Sequence, residues 1–365
     1  EGVDRLRGRT REHESQLLKT LGELQNTDEE FLSLQGAGTI SLENVRRVLP
    51  ADSVLLEYYQ ARGTIYACTL DQAQLQAAAL TPASRVANLL RSLQEQFSKF
   101  RLGPEYIRSH ADSILEATQQ QLRELYQELV GPLRSLLTGK RLLIVPHGFL
   151  HYLPFHALHD GAQYLAERHA ISYASSASVY YLCCTKQNAV EDRALVLGAT
   201  GTGSPHAEEE VRAVAAVLPN PRVLRGAEIS PESLKAQGAG CRYVHLSTQV
   251  AFRQDNPLFS SLRFGDSQLS LFDLYQLRLP CELVSLTGSG AGLNAGGNGD
   301  ELVGMVRGLQ YAGARAVLTS LWNAPGSSTS RLISLFYGYL REVPDKAVAL
   351  QKAMQQVRQT DPNPF

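Results

Sequence analysis

From Leu142 onward, short apolar runs recur with helical stretches between them, and few architectures satisfy that rhythm. The runs are Leu142 to Val145, Ala194 to Leu197, Tyr243 to Leu246, Leu283 to Leu286 and Ala316 to Leu321. Runs this short that do not alternate with polar residues are the mark of parallel strands covered on both faces. Helices read between them at Ala207 to Leu218, Pro231 to Ala236, Glu301 to Ala312 and Ser328 to Leu340, with Ser230 as N-cap and Pro231 at the first helical position of the second. A further helical segment runs from Asp345 to Arg358. The pattern predicts an open α/β sheet, on which ligands bind at the carboxyl ends of the strands. The two ends singled out are those after Leu246 and Leu286.

The chain before residue 140 has a different texture. Leu17, Leu18, Leu21, Leu24, Phe31 and Leu32 put an apolar stripe on a helix spanning about 10 to 35. A short helix is expected from the Ser41 N-cap to Pro50. The runs VLLEYYQ and TIYACTL, broken at Ala61-Arg62-Gly63, and then QLQAAAL, read as a small antiparallel meander. Two long helices follow, one carrying Val86, Leu89, Leu90, Leu93 and Phe97, the other Leu122, Leu125, Leu129 and Leu133, with Gly103-Pro104 between them. The reading is thus a helical and β-meander lead-in over 1–139 and an α/β domain over 140–365.

Composition narrows the function classes. Thirty-five basic against 36 acidic residues leave a net charge of −1, which recommends neither nucleic acid nor an anionic membrane as partner. The cluster Arg5, Arg7, Arg9 and Arg11 reads as a solvated helix face. No run reaches the roughly 18 apolar residues of a membrane span. Cys68, Cys183, Cys184, Cys241 and Cys281 are odd in number and lack CxxC spacing, so they suit neither a disulfide framework nor a zinc site. A reducing cytoplasmic setting is the simplest. The chain opens on Glu1 in what reads as a helix, so a fragment of a longer protein is expected.

Three motifs offer chemistry. His147, His151, His156 and His159 could supply a metal site, but Pro146, Gly148 and Pro154 keep them off a single helical face, and no Cys or carboxylate stands at ligand spacing. No metal is expected. The glycine-rich run Gly288 to Gly297 follows a strand but lacks both the Lys-Ser/Thr ending of a P-loop and GxGxxG spacing, so no nucleotide or other cofactor is expected. Thr287 stands where a nucleophile elbow needs Gly two residues before the Ser. The third signal is the pair of strand ends His245-Leu246-Ser247-Thr248-Gln249-Val250 and Leu286-Thr287-Gly288-Ser289-Gly290-Ala291-Gly292.

These two ends resemble those of CHAT domains, where a His-Leu-Ala-Thr-His-Gly-like strand end and a Leu-Ser-Ala-Cys-Glu-Thr-Gly-like one carry the family's catalytic His and Cys. LLIVPHGFLHYLPFHAL, AEEEVRAVAAVLP, AFRQDNPLFSSLRF and, above all, GDELVGMVRGLQYAGARAVLTSLW are also similar to family segments, and the likeness extends over essentially the whole chain. The resemblance implies a caspase-like (clan CD) three-layer α/β sandwich with a mostly parallel central sheet. It also implies upstream tetratricopeptide-type repeats and a last strand beyond the final residues of this chain.

The departures remove the implied chemistry. A cysteine peptidase needs a thiolate and an imidazole, and the two catalytic positions read Gln249 and Ser289. A Gln amide does not titrate near neutral pH, which forfeits acid–base help typically worth about 10²–10⁴-fold. Val250 stands where the family's Gly often gives an N–H to the oxyanion, and its branched side chain is expected to crowd the cleft. Gly288 and Gly290 flank the nucleophile position, and Gly290-Ala291 replaces the family's Glu-Thr. The expected function is a pseudopeptidase that binds protein or peptide. One alternative is a serine hydrolase with His245 activating Ser289, although residues i and i+4 of a strand lie roughly 13 Å apart. The other is a structural module of a longer repeat protein.

Overall fold

The computed structural model describes residues 40–198, 205–253, 257–264, 267–287, 300–321 and 326–360, together with Glu12 and Gln16. Most of the helix expected at 10–35, and the run 288–299 with Gly288, Ser289 and Gly290, lie outside the described residues.

The chain enters through helix α1 (Leu42–Val48), whose first turn is capped by Ser41 Oγ accepting from the Asn44 N–H at 3.3 Å. Strands β1 (Ser53–Ala61), β2 (Thr64–Leu70) and β3 (Leu75–Pro82) then form the expected antiparallel meander. Arg62 and Gly63 take the positive φ values of 49° and 78° that the tight β1–β2 turn requires. Helices α2 (Ala83–Ser98) and α3 (Pro104–Leu129) come next, and α3 starts with Pro at its first position.

Strand β4 (Arg141–Val145) corrects the expectation of one sheet for all the apolar runs. It pairs in parallel with β1, from Ser53↔Arg141 to Glu57↔Val145, and β5 (Ala170–Tyr173) adds beyond it, giving the order β3-β2-β1-β4-β5. An apolar run reports burial on both faces and is silent about which neighbour supplies the hydrogen bonds. The first sheet therefore joins strands from both sides of residue 140. One face meets α2 and α3 through Val54, Leu56, Tyr58 and Ile65, and Tyr58 Oη donates to the Leu129 carbonyl at 3.1 Å.

After a single-turn helix α4 (Leu165–Arg168) and helix α5 (Ala177–Thr185), the chain builds a second sheet. It comprises β6 (Glu191–Gly198), β7 (Pro221–Arg225), β8 (Cys241–Ser247), β12 (Leu283–Thr287) and β13 (Val317–Thr319), all parallel, in the order β13-β12-β8-β6-β7. Side-chain alternation divides the core in two. Ala194, Val196, Tyr243 and Leu283 face α6 (Pro205–Val217), α10 (Gly326–Glu342) and α11 (Lys346–Thr360). Leu195, Leu197, Val244, Leu246, Val284 and Leu286 face α7 (Pro231–Gly238), α8 (Leu271–Gln276) and α9 (Asp300–Ala312). Helix, sheet and helix make the expected three layers. A small antiparallel sheet of β9 (Val250–Ala251), β10 (Ser261–Phe264) and β11 (Ser267–Ser270) hangs from the end of β8.

Polar contacts join the halves. Arg141 pairs with Asp52 beside it and with Asp345 Oδ2 across the boundary at 2.7 Å, and Asn188 Nδ2 donates to the carbonyls of Cys281 and Gly313, each at 2.9 Å. Gly313 turns the chain from α9 toward β13 at φ 128°, and an added Cβ would lie 2.8 Å from the Pro280 nitrogen. At Gly308 the nearest atom, at 2.4 Å, is the methyl end of the Leu271 side chain. Gly313→Ala is therefore expected to lose about 3 kcal/mol, combining backbone strain with a clash that cannot relax. Gly308→Ala gains helix propensity and should cost less than about 1 kcal/mol. Urea unfolding of the two variants measures the difference.

Candidate functional site

The site lies where β8 and β12 stop. They pair in register to Ser247↔Thr287, and Thr248 N–H then donates to the Thr287 carbonyl at 2.8 Å. Gln249 follows two residues past Ser247, as Ser289 follows two past Thr287 in sequence. Gln249 is half-buried, and its carbonyl accepts from the Arg263 N–H at 2.9 Å. Val250 pairs with Leu262 in the small sheet. Gln249 is thus the corner at which the chain leaves the parallel sheet. Val250 is buried in the core with Leu246, Leu262 and Leu271, so the side chain expected to crowd the cleft is a packing element of the layer beneath.

Below the corner sits a polar cluster inside an apolar layer. Glu210 on α6 is 4% exposed and His245 on β8 is 0% exposed. His245 Nε2 lies 2.9 Å from Glu210 Oε1, and Thr287 Oγ1 donates to the same oxygen. The Ser247 hydroxyl also bonds this carboxylate. Burial by itself would raise the Glu210 pKa; the hydrogen bonds from His245, Thr287 and Ser247 outweigh it and hold the carboxyl below its ordinary value. An ionised carboxylate only accepts, so Nε2 carries the proton of this hydrogen bond. On the other side of His245 the Tyr337 ring stands edge-on at 6.0 Å, and Tyr337 Oη donates to Ser285 Oγ at 2.7 Å. Among the described residues, the buried His245 Nδ1 has no hydrogen-bond partner.

His245 is accordingly the hydrogen-bonded core histidine of a strand, sealed from solvent and committed to Glu210. A base for Ser289 would need to reach the strand end from that position. Glu210 was not anticipated, yet the signal exists: it stands one residue before Val211 and four before Val214, on the stripe that α6 buries.

The four clustered histidines do not converge. His147 packs on the Tyr59 ring with centroids 4.7 Å apart, and His156 Nδ1 bonds Tyr173 Oη at 3.0 Å. His159 sits edge-on to Tyr164 at 4.8 Å, and burial, with Arg307 and His147 nearby, lowers His151 to about 4. Among the described residues no three His, Cys, Asp or Glu side chains gather as metal ligands, and no helix is long and apolar enough to cross a membrane.

Comparison with known proteins places this geometry. The family model described as CHAT domain matches residues 119–364. Tetratricopeptide repeat protein 28 of Homo sapiens is 25% identical over 304 residues, covering 65% of this chain and 12% of that protein. The Mus musculus protein of the same name matches to the same extent, so the chain spans about an eighth of the length of these relatives. Among solved structures, a chain of the Saccharomyces cerevisiae separase–securin complex superposes with a TM-score of 0.59 at 9% identity, covering 90% of this chain and 30% of that one. The fold is the caspase-like α/β sandwich.

The cluster carries a stability prediction. Glu210→Ala strands His245, Thr287 and Ser247 in the core and should cost about 3–5 kcal/mol; Glu210→Gln keeps the shape and should cost about 1–2 kcal/mol. The folded-state pKa of Glu210 lies below the ordinary 4.5, so the charge-dependent part is fully present above that pH and drains away as pH falls through the folded value. Urea midpoints from pH 7 to 3 should show the gap between wild type and Glu210→Gln narrowing only below about 4.5.

Proposed function

The chain belongs to the CHAT domain family, and from that premise we propose that it is a pseudopeptidase, a member with a peptidase-related fold that binds protein or peptide instead of cleaving it. The observation that carries this reading is the state of the imidazole on β8. His245 is sealed beneath the strand end and bonded to Glu210, while the half-buried corner at the strand end is occupied by Gln249. Resemblance to the family motif assigns the proton-transfer role to position 249 and the nucleophile role to Ser289. With an amide at the first and a hydroxyl at the second, neither acid–base transfer near neutral pH nor an activated nucleophile is available.

Binding is the use that survives such a loss. The corner joins the parallel sheet to the small antiparallel sheet, at the carboxyl end of the strands where α/β sheets receive ligands. The names of the curated relatives support tetratricopeptide repeats in the parent chain, which would deliver or sense the same partner. Five free thiols support a reducing, cytoplasmic setting.

Incubation with a fluorescent fluorophosphonate and a peptide library tests the loss of chemistry. No adduct on Ser289 and no cleavage are expected; an adduct that disappears in Ser289→Ala would overturn the reading in favour of a serine hydrolase. Peptides captured by the wild type should bind at least tenfold more weakly to Gln249→Trp, with the melting temperature unchanged. A wild type that captures none would leave the structural role.

A further inference from the structure

The first sheet has a face that its helices cover only in part. Strand pairing lays out three rows across it: Leu55, Leu70 and Leu75; Glu57, Cys68 and Ala77; Tyr59, Tyr66 and Ala79. Side chains two apart on a strand share a face, so the rows stack in order along the strands. Helices α1 and α5 close the first row, where Val45, Leu49, Ala177 and Tyr180 pack on Leu55, Leu70, Leu143 and Val145. Past that cover the sheet is open, with Tyr59 59% and Tyr66 39% exposed.

The open rows are concave. A pocket of about 260 Å³ is lined by Glu57, Tyr59, Tyr66, Ala67, Cys68 and Ala77. On the β4 side the His147 ring packs against Tyr59 at a tilt of 52°, bracing that ring as a wall. The pocket is smaller than the roughly 300–1,000 Å³ of small-molecule sites and matches a single side chain.

Glu57 makes the pocket specific. It is half-buried in the middle row, and among the described residues its carboxylate has no hydrogen-bond or ion-pair partner. Burial raises its carboxyl pKa above the ordinary 4.5, which is the signature of a charge held away from water with nothing opposite. A cation would supply the missing charge, and Tyr59 and Tyr66 line the same pocket with aromatic rings, whose π faces attract cations. A planar guanidinium satisfies both demands at once, pairing with the carboxylate through two N–H donors while stacking on a ring.

We propose that this pocket receives an arginine side chain from a partner polypeptide, held by Glu57 and flanked by Tyr59 and Tyr66. All of its lining residues lie on β1, β2 and β3, so the site is independent of the Gln249 corner in the second sheet. It would anchor a partner whether or not the corner does.

The test is an NMR titration of the full chain with acetyl-Gly-Arg-Gly-amide, with citrulline and lysine versions as controls. Citrulline keeps the shape of arginine and removes the charge. Shifts should concentrate at the amides of Glu57, Cys68 and Ala77, with the arginine peptide at least tenfold tighter than the citrulline peptide and lysine between them. Glu57→Gln, which is isosteric and keeps the sheet intact, should weaken the arginine peptide about tenfold, and Tyr59→Ala several-fold. Equal binding of arginine and citrulline, or full affinity in Glu57→Gln, would overturn the proposal. A tenfold gain in peptide affinity when Arg5, Arg7, Arg9 and Arg11 are all changed to Gln would identify the occupant as this chain itself and overturn the assignment to a partner.

Discussion

A single buried carboxylate ties three elements together. Glu210 extends from α6 to His245 on β8 and Thr287 on β12, so the helix layer and the ends of two neighbouring strands share one acceptor. A charge in that position would cost several kcal/mol if left alone, and the fold offsets it with converging donors from both strands. The arrangement fixes more than stability. With Ser247 and Thr287 held by the same group, the last paired rung of the sheet cannot slip, and whatever follows it starts from a defined place. The strand-end corner inherits its position from this rung.

The two halves of the molecule hold together by different physics. Within each half, apart from the Glu210 cluster, the core contacts are apolar, with Leu, Val and Tyr side chains dividing between the faces of the sheet. Between the sheets, Arg141 bridges to Asp345, Asn188 to two carbonyls, and Gln351 Nε2 to the Ala166 carbonyl at 2.8 Å. Directional bonds of this kind set orientation at modest energy. Arg141 also begins β4 and pairs with Asp52 just before β1, so the ion pair that joins the halves grows from the strand pair at the centre of the first sheet.

Much of this was legible in the residues. Four of the short apolar runs named buried strands and the fifth named the half-buried β13, while Ser41 and Ser230 marked helix starts as capping hydroxyls. What escaped was relational. The run Leu142 to Val145 looks like its counterparts in the second sheet, and only its pairing with β1 distinguishes it. Strand β5 is a four-residue edge, too short to show a pattern, and in β7, the edge of the second sheet, the exposed polar residues of Pro221-Arg222-Val223-Leu224-Arg225 hide it. At the candidate site the proposed loss of the catalytic pair rests on what is directly readable, Gln249 and Ser289 at the positions that the family resemblance assigns to it. Glu210 is harder: its spacing from Val211 and Val214 puts it on the buried stripe, but the partner that makes it functional, His245, stands on another element.

The placement of the corner shows how the side chain at position 249 can vary without disturbing the frame. Gln249 contributes to the sheet through its backbone, by the carbonyl that accepts from Arg263. The polar cluster that fixes the strand ends uses His245, Ser247 and Thr287, none of which is a dyad-equivalent position. A side chain at position 249 is therefore free to change with respect to folding. It remains constrained in location, because Thr248 is bonded to β12 on one side and Val250 is packed into the core on the other. A half-buried corner with an uncharged side chain that both donates and accepts hydrogen bonds cannot move a proton near neutral pH but can pair with a backbone amide, and that asymmetry is what supports the binding proposal.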